Sequence, residues 1–193
     1  MKKICVYCGS SPGKSPEYIE AARVLGRELV KRDITLVYGG ASVGIMGEIA
    51  DTVLSAGGEV VGIMPQALVD KEISHSGLTD LRVVGSMHER KAMMEDISDG
   101  FIALPGGMGT IEELFEVLTW SQLGYHRKPC ALLNIKGYYD SITQFLNHAV
   151  EEQFVKPIHR EMILIEHKPD RLLDLMAAYK PPAVDKWIGR NET

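Results

Sequence analysis

Short, continuously apolar runs alternate with longer amphipathic segments along this chain. Runs that are apolar at every position, rather than at every second one, are typical of strands whose two faces are both covered. The alternation therefore predicts an α/β fold with a single Rossmann-like, doubly wound parallel sheet flanked by helices on both faces. The predicted strands are Ile4–Tyr7, Thr35–Tyr38, Val60–Met64, Leu81–Val84, Phe101–Leu104, Ala131–Asn134 and Met162–Ile165. The predicted helices are Pro16–Arg32, Gly44–Ala56, Met87–Ser98, Ile111–Leu123, Tyr138–Glu152 and Pro169–Ala178.

Length and charge limit the class of protein. With 193 residues, 45% of them hydrophobic and 24% charged, the chain suits one globular domain. We predict a nucleotide-binding domain over residues 1–180 and a polar C-terminal tail over residues 181–193. A net charge of −5 argues against general nucleic-acid binding, which needs a basic surface. Because no apolar run could span a bilayer and the first residues do not resemble a signal peptide, we expect a cytoplasmic protein with no membrane association.

The three cysteines are an odd number and do not form a disulfide framework. Cys5 and Cys8 make a C-x-x-C pattern, but three residues apart on a strand their side chains point to opposite faces. A redox motif would open a helix, and a structural zinc site would need further ligands. We therefore expect buried strand thiols and no metal site.

The segment Pro105–Gly109 lies between the apolar run that ends at Leu104 and a helix predicted to begin at Ile111. A junction of strand, glycine loop and helix directs backbone N–H groups and the positive end of the helix dipole at one place, which suits a phosphate group. Glu113 lies one turn inside the same helix. The sequence therefore predicts an anion site beside a fixed carboxylate.

Glu113 also has a structural explanation, because Thr110 and Glu113 have the spacing of a capping box. A helical wheel favours a functional role, since it places Glu113, Glu116 and Trp120 opposite the core stripe. A tryptophan beside carboxylates on that side indicates a cleft or a partner subunit. The predicted core stripe consists of Ile111, Leu114, Phe115 and Leu118.

A second glycine-rich loop, Gly39–Gly47, follows the second predicted strand and opens a helix. Its glycines also fit a tight, closely packed turn, but two such loops at strand ends favour ligand binding. We expect Gly39, Gly40, Gly44 and Gly47 to form a secondary phosphate-binding loop. Neither loop reads G-x-G-x-x-G, so NAD binding is disfavoured.

The first strand is followed by Gly9–Ser15, which resembles a Walker A loop but has three residues between Gly9 and Gly13 where that motif needs four. It fits better as a helix start, with Ser15 as N-cap. Gly9 and Ser10 still leave the carboxyl end of a strand, where ligands bind in such folds. We expect both to line the same crevice.

Arg90 occupies the apolar face of a predicted helix, together with Met87, Met94 and Ile97. An isolated buried charge is unfavourable, so Arg90 should have an anionic partner. A structural ion pair and a guanidinium held at an active site are both compatible with this position.

Taken together, these motifs resemble the Lonely Guy family of cytokinin-activating phosphoribohydrolases. Residues Pro105–Glu113 match its P-G-G-x-G-T-x-x-E motif without a departure, and Met87, Arg90 and Lys91 match an M-x-x-R-K element. In the first glycine loop, Ala41 replaces the third glycine of the family's usual G-G-G-x-x-G-x-M-G. The likeness runs from Cys5 to about Asn134 and is weaker beyond.

The resemblance implies hydrolysis of the N-glycosidic bond of N6-substituted adenosine 5′-monophosphates, which releases the free base and ribose 5-phosphate. It implies a homodimer with the active site near the interface, and no cofactor. Arg90 and Glu113 are the expected catalytic residues. The expected substrate-binding residues are Glu72, Met87, Lys91, Gly106, Gly107, Met108, Gly109, Thr110, Ile111, Glu112 and Thr119.

In this hypothesis Glu113 stabilises the positive charge that develops on the ribose and deprotonates water, while Arg90 stabilises the leaving base. A position in the first helical turn would favour the ionised carboxylate. Glu112 is the rival, because adjacent helix positions point about 100° apart. Two further functions stay open: an AMP nucleosidase in purine salvage, and a nucleotide-binding or carrier module without catalysis.

Overall fold

The computed structural model describes residues 1–71 and 74–182. Seven strands form one sheet in the order β4-β3-β2-β1-β5-β6-β7, and every neighbouring pair is parallel. The predicted doubly wound parallel sheet is therefore confirmed. The strands are β1 (Lys3–Tyr7), β2 (Thr35–Tyr38), β3 (Val60–Pro65), β4 (Asp80–Val84), β5 (Gly100–Ala103), β6 (Cys130–Leu133) and β7 (Ile163–Glu166).

Helices cover both faces of this sheet. The buried side chains of the first, second and eighth helices pack in one core, and those of the fourth, fifth and sixth pack in the other. The third and seventh helices, four residues each, were not predicted, because four residues are too few to show a helical period. The helices are α1 (Pro16–Lys31), α2 (Gly44–Ser55), α3 (Gln66–Val69), α4 (Met87–Ile97), α5 (Met108–Gln122), α6 (Asp140–Glu151), α7 (Pro157–Arg160) and α8 (Pro169–Ala178).

The central strand β1 shows why its residues are apolar throughout. Ile4 and Val6 contribute to one core, while Cys5 and Tyr7 contribute to the other. Cys8 lies in the core opposite Cys5, and both thiols are free and buried, as predicted. A strand covered on both faces has no position that favours a polar side chain.

The connections on the two sides of β1 lead in opposite directions. From β1 the chain builds the sheet outward through β2 and β3 to β4, and it then returns to place β5 on the other side of β1. After β1 the chain enters a helix on one face of the sheet, and after β5 it enters a helix on the other face. Such a switch in strand order creates the crevice in which α/β proteins bind ligands.

Helix α5 begins at Met108, three residues before the predicted start, and its N-cap is Gly107. The prediction of a Thr110 N-cap was wrong, because Thr110 lies inside the first turn. Glycine serves well as an N-cap, so the helix can begin within the glycine loop. Ser86 is the N-cap of α4, and its hydroxyl accepts a hydrogen bond from the Glu89 N–H at 3.1 Å.

Candidate active site

A cleft of about 470 Å³ opens at the carboxyl ends of the central strands. It is bordered by the loops after β1, β2 and β5, by the end of β3 and by α4. Its lining contains the charged groups of Arg90 and Glu113 and an apolar wall formed by Val43, Met46, Met64 and Leu68. The lining residues are Cys8, Gly9, Ser10, Gly39, Ala41, Val43, Met46, Met64, Leu68, Arg90, Gly107, Met108, Gly109, Thr110 and Glu113.

Arg90 and Glu113 form an ion pair in this cleft, with 2.8 Å between Nη1 and Oε1. Each side chain is only 11% exposed. The Arg90 Nε also donates a hydrogen bond to the main-chain oxygen of Ile63, at the carboxyl end of β3 (3.1 Å). The anionic partner expected for Arg90 is therefore Glu113, and strand β3 holds the guanidinium in place.

The helical wheel placed Glu113 opposite the core stripe of α5, and this prediction was wrong. The buried positions of α5 run through Thr110, Glu113, Leu114, Val117, Leu118 and Ser121. This stripe faces the sheet, but its N-terminal end extends past the carboxyl edge, where Glu113 meets the cleft rather than the apolar core. A carboxylate on the buried face of a helix is tolerated there because Arg90 compensates its charge.

Burial raises the pKa of the Glu113 carboxyl, while the charge and hydrogen bond of Arg90 oppose the rise. Because α5 begins at Met108, Glu113 lies in the second helical turn. The expectation that the first turn of the helix would favour its ionised form therefore does not apply. Arg90 is the group that favours the carboxylate.

Glu112, the predicted rival, points away from the cleft. Its Oε1 lies 2.5 Å from the Lys91 Nζ, which also lies 3.0 Å from an oxygen of Glu116. Three ion pairs thus join α4 to α5: Arg90 with Glu113 inside the cleft, and Lys91 with both Glu112 and Glu116 beside it. The cleft receives the Glu113 carboxylate and not that of Glu112.

The N-terminus of α5 is open toward the cleft. Its N-cap, Gly107, lines the cleft together with Met108, Gly109 and Thr110 of the first turn. A Cβ built on Gly107 or Gly109 would meet nothing within 4 Å, whereas a Cβ on Gly106 would lie 2.1 Å from the Thr110 hydroxyl. Gly106 is therefore needed for packing, and Gly107 and Gly109 leave space beside the helix N-terminus. A second hollow, of about 270 Å³, lies on the other side of this loop, between Tyr18 and Tyr138.

The glycines of the first loop are packed. The Gly9 carbonyl accepts hydrogen bonds from the N–H groups of Ile45 (3.0 Å) and Met46 (3.4 Å), at the start of α2. Gly44 has a φ of +58°, and a Cβ there would lie 2.3 Å from the carbonyl carbon of Ser10. These contacts occupy the helix N-terminus that the sequence had assigned to a phosphate.

Of the four glycines predicted for this loop, Gly39 lines the cleft. A Cβ at Gly39 would lie 2.5 Å from the Arg90 Nη2, so this glycine makes room for the guanidinium. Gly40 packs against Met64, and a Cβ on Gly47 would collide with the main chain of Ser42.

The remaining predicted site residues lie in different places. Met87 is half-exposed, with its Sδ 4.0 Å from the Arg90 Nη1. Ile111 packs against the core. Thr119 is exposed farther along α5, where its hydroxyl donates to the Phe115 carbonyl (2.7 Å), and it does not line the cleft. Glu72 and the tail residues from 183 onward lie outside the described residues.

Sequence reasoning missed the apolar wall of the cleft. Met64 ends a strand, so the rule that ligands bind at carboxyl ends could have identified it. Val43 and Met46 both lie within the glycine loop Gly39–Gly47 and were overlooked beside its glycines. Leu68 belongs to α3, a helix too short to predict.

Within residues 1–71 and 74–182, no three His, Cys, Asp or Glu side chains are grouped as metal ligands would be. In the same part of the chain, none of the helices has the length and apolar character that crossing a bilayer requires.

The sequence model of a family described as possible lysine decarboxylase matches residues 46–176. A cytokinin riboside 5′-monophosphate phosphoribohydrolase of Arabidopsis thaliana is 49% identical over 180 residues, which cover 93% of this chain and 83% of the relative. This chain belongs to the Lonely Guy family. A probable Lonely Guy phosphoribohydrolase of Oryza sativa subsp. japonica is 50% identical over 184 residues, covering 95% of this chain and 75% of that one.

The Lonely Guy chain also shares its fold with more distant proteins of known structure. The molybdenum cofactor carrier protein of Chlamydomonas reinhardtii superposes with a TM-score of 0.70 at 20% identity, covering 92% of this chain and 99% of the carrier. A molybdenum cofactor binding protein of Rippkaea orientalis gives a TM-score of 0.69 at 21% identity, with 92% and 97% covered. At this identity the likeness concerns the fold.

Proposed function

We propose that this Lonely Guy protein hydrolyses the N-glycosidic bond of N6-substituted adenosine 5′-monophosphates. The products are the free adenine-type base and ribose 5-phosphate. The observation that carries the proposal is the buried Arg90–Glu113 pair in a cleft that also contains the open N-terminus of α5. The relatives that are about half identical over most of the chain are named for this activity.

The 5′-phosphate binds at the N-terminus of α5 in this proposal. The N–H groups of Gly107, Gly109 and Thr110 lie at the start of the helix, where the helix dipole favours an anion. Because Gly107 and Gly109 carry no side chain, a phosphate can approach the backbone closely. The loop after β1 contributes Ser10 at the edge of the same cleft.

The ribose then lies between the phosphate site and Glu113. Cleavage of the bond from C1′ to the base leaves positive charge on the sugar ring, which a nearby carboxylate stabilises. Glu113 also accepts a proton from the attacking water, whose oxygen forms the new bond to C1′. The bonding electrons leave with the base, which takes up a proton, and Arg90 stabilises the charge that develops on it.

The apolar wall accommodates the base and its N6 substituent. Val43, Met46 and Met64 face the cleft together with Leu68. Methionine side chains adapt to differently shaped apolar groups, and such contacts favour an alkyl-substituted base over plain adenine. Lys91 and Glu112, expected to bind substrate by resemblance, instead support the site by joining α4 to α5.

We further propose a homodimer formed through the face of α4 and α5. Met87 is 45% exposed and Met108 is 89% exposed, and both lie beside the cleft. Trp120, farther along α5, is partly exposed. A partner that covers these side chains would also complete one side of the active site.

Because the three described cysteines are buried free thiols, a reducing compartment, the cytoplasm, fits this protein.

The test is to incubate the protein with AMP and, separately, with N6-isopentenyl-AMP, and to measure the released base by chromatography. We expect wild type to release base from both and faster from the substituted nucleotide, and Glu113→Gln and Arg90→Met each to reduce turnover about a hundredfold or more. Glu112→Gln, the same change at the adjacent position, should lose far less. Nucleotide binding without base release would instead indicate a carrier, and a preference for AMP would indicate a salvage nucleosidase.

A further inference from the structure

Each main-chain carbonyl of the loop between β5 and α5 accepts a hydrogen bond. None of the four is left to face an anion in the cleft. The pairs are Leu104 with the Tyr139 hydroxyl (2.6 Å), Pro105 with the Gly9 N–H (3.2 Å), Gly106 with the Tyr138 hydroxyl (2.6 Å) and Gly107 with the Ile111 N–H (3.2 Å).

The pair made by Tyr138 decides the direction of one N–H group. In a trans peptide unit the carbonyl and the following N–H point in opposite directions. Tyr138 holds the Gly106 carbonyl toward the hollow that it shares with Tyr18. The N–H of Gly107, in the same peptide unit, is therefore turned away from the Tyr138 hydroxyl, and Gly107 lines the cleft as well as the hollow.

We propose that Tyr138 is a positioning residue for the anion site: its hydroxyl fixes the Gly106–Gly107 peptide so that the Gly107 N–H donates to the substrate phosphate. This inference rests on the proposed function, in which the phosphate lies at the start of α5. Without the hydroxyl, the peptide can rotate and present the Gly106 carbonyl, an electronegative atom, to the anion.

The turn after β6 is built to deliver this hydroxyl. Asn134, which is buried, accepts a hydrogen bond from the Tyr139 N–H (2.8 Å) and donates one to Asp140 (2.7 Å). Gly137 has a φ of +71°, and a Cβ there would lie 2.4 Å from an Asp140 oxygen. The turn therefore requires glycine at this position, and it places two tyrosines in succession above the end of β5.

The ring of Tyr138 is held on two sides. It makes edge contacts with the rings of Tyr18, with 5.7 Å between centroids, and of Tyr139, with 5.0 Å. Removal of the hydroxyl alone leaves these contacts in place. Tyr138 is also 43% exposed, whereas Tyr139 is fully buried in the core. Tyr138→Phe should therefore fold, and Tyr139→Phe is the variant in which a loss of stability is expected.

The experiment compares Tyr138→Phe with wild type in AMP hydrolysis and in binding of inorganic phosphate and adenosine. A hydrogen bond that directs a donor to a charged group corresponds to about tenfold in affinity. We expect the KM for AMP and the dissociation constant for inorganic phosphate to rise about tenfold, with kcat within about twofold. Adenosine, which lacks the phosphate, should bind with unchanged affinity.

Tyr125→Phe is the matched control, because it removes a buried hydroxyl that has no hydrogen-bond partner. It should change none of these constants. An unchanged KM and unchanged phosphate affinity in Tyr138→Phe would overturn the inference, as would an equal weakening of adenosine and phosphate, which indicates general disorder of the site. If wild type releases no base, the proposed function fails, while phosphate binding by the two proteins still decides the role of Tyr138.

Discussion

The two glycine loops of this protein look alike in sequence and differ in structure. The loop Gly39–Gly47 is packed against the chain after β1, and the Gly9 carbonyl occupies the first N–H groups of α2. The loop Pro105–Gly109 leaves the N-terminus of α5 open to the cleft. In the loop Gly39–Gly47, a side chain at Gly44 or Gly47 would collide with the main chain. In the loop Pro105–Gly109, Gly107 and Gly109 have open space around them.

The difference shows that a glycine motif at a strand end does not by itself indicate a phosphate site. What distinguishes the two loops is whether the helix N–H groups are already bonded within the protein. In the first loop, Gly39 makes room for the Arg90 guanidinium, and Gly44 and Gly47 allow close packing against the main chain of Ser10 and Ser42. In the second, the glycines present the donors themselves. Substitution of single glycines should therefore affect stability in one loop and ligand binding in the other.

The largest effect is expected for Gly44→Ala. Its φ of +58° is unfavourable for alanine, and the new methyl group would collide with Ser10. We expect a loss of roughly 2–4 kcal/mol in the free energy of unfolding, from strain and overpacking together. Urea denaturation measures it.

Gly57→Ala is the control for Gly44→Ala, since Gly57 has a φ of +81° but open space around its Cβ. It should lose only the backbone contribution, about 1 kcal/mol. Equal losses in the two variants would show that packing of the first loop adds nothing.

For Gly109→Ala we expect opposite changes in stability and binding. Gly109 lies in the first turn of α5 with no neighbouring atom near its Cβ, so alanine should stabilise the helix by up to about 1 kcal/mol. The methyl group would enter the proposed phosphate site, and the KM for AMP should rise about tenfold, as expected when a close backbone contact to an anion is lost. Thermal unfolding and steady-state kinetics measure the two changes. A stabilised variant with unchanged KM would place the phosphate elsewhere.

The smallest effect concerns pH. Because burial raises the pKa of Glu113 above its ordinary value of 4.5, the carboxylate proposed to be catalytic becomes protonated as the pH falls through that raised value. The kcat/KM for AMP should therefore decline on acidification at a pH above 4.5. The residual activity of Glu113→Gln should lack this decline. If wild type and variant follow the same curve, another group is responsible.

The sheet could be predicted from the sequence because short, continuously apolar runs such as Phe101–Leu104, set between amphipathic segments, are typical of strands buried on both faces. The sequence also indicated that Arg90 needs an anion and that Glu113 lies near a helix start. Each of these follows from local spacing or from the unfavourable burial of an isolated charge. Those arguments need no knowledge of which elements become neighbours.

The rest depended on contacts between distant parts of the chain. The hydrogen bonds from the Ile45 and Met46 N–H groups to the Gly9 carbonyl join residues at least 36 positions apart. No local sequence pattern indicates that the N-terminal N–H groups of α2 are already bonded. The choice between Glu112 and Glu113 required the position of α4 beside α5. Local sequence does not distinguish Glu112 from Glu113. The contacts that α4 makes with each carboxylate distinguish them.

The position of Arg90 has a consequence for the order in which the molecule assembles. Its helix follows β4 at one edge of the sheet, yet its guanidinium is bonded to the end of β3 and to a carboxylate on α5. Until α5 docks, burial of Arg90 would leave a charge without compensation, which is strongly unfavourable. Docking of α4 should therefore be a late, cooperative step in folding that awaits the segment carrying Glu113, so that the Arg90–Glu113 ion pair is completed only as the two halves of the sheet come together.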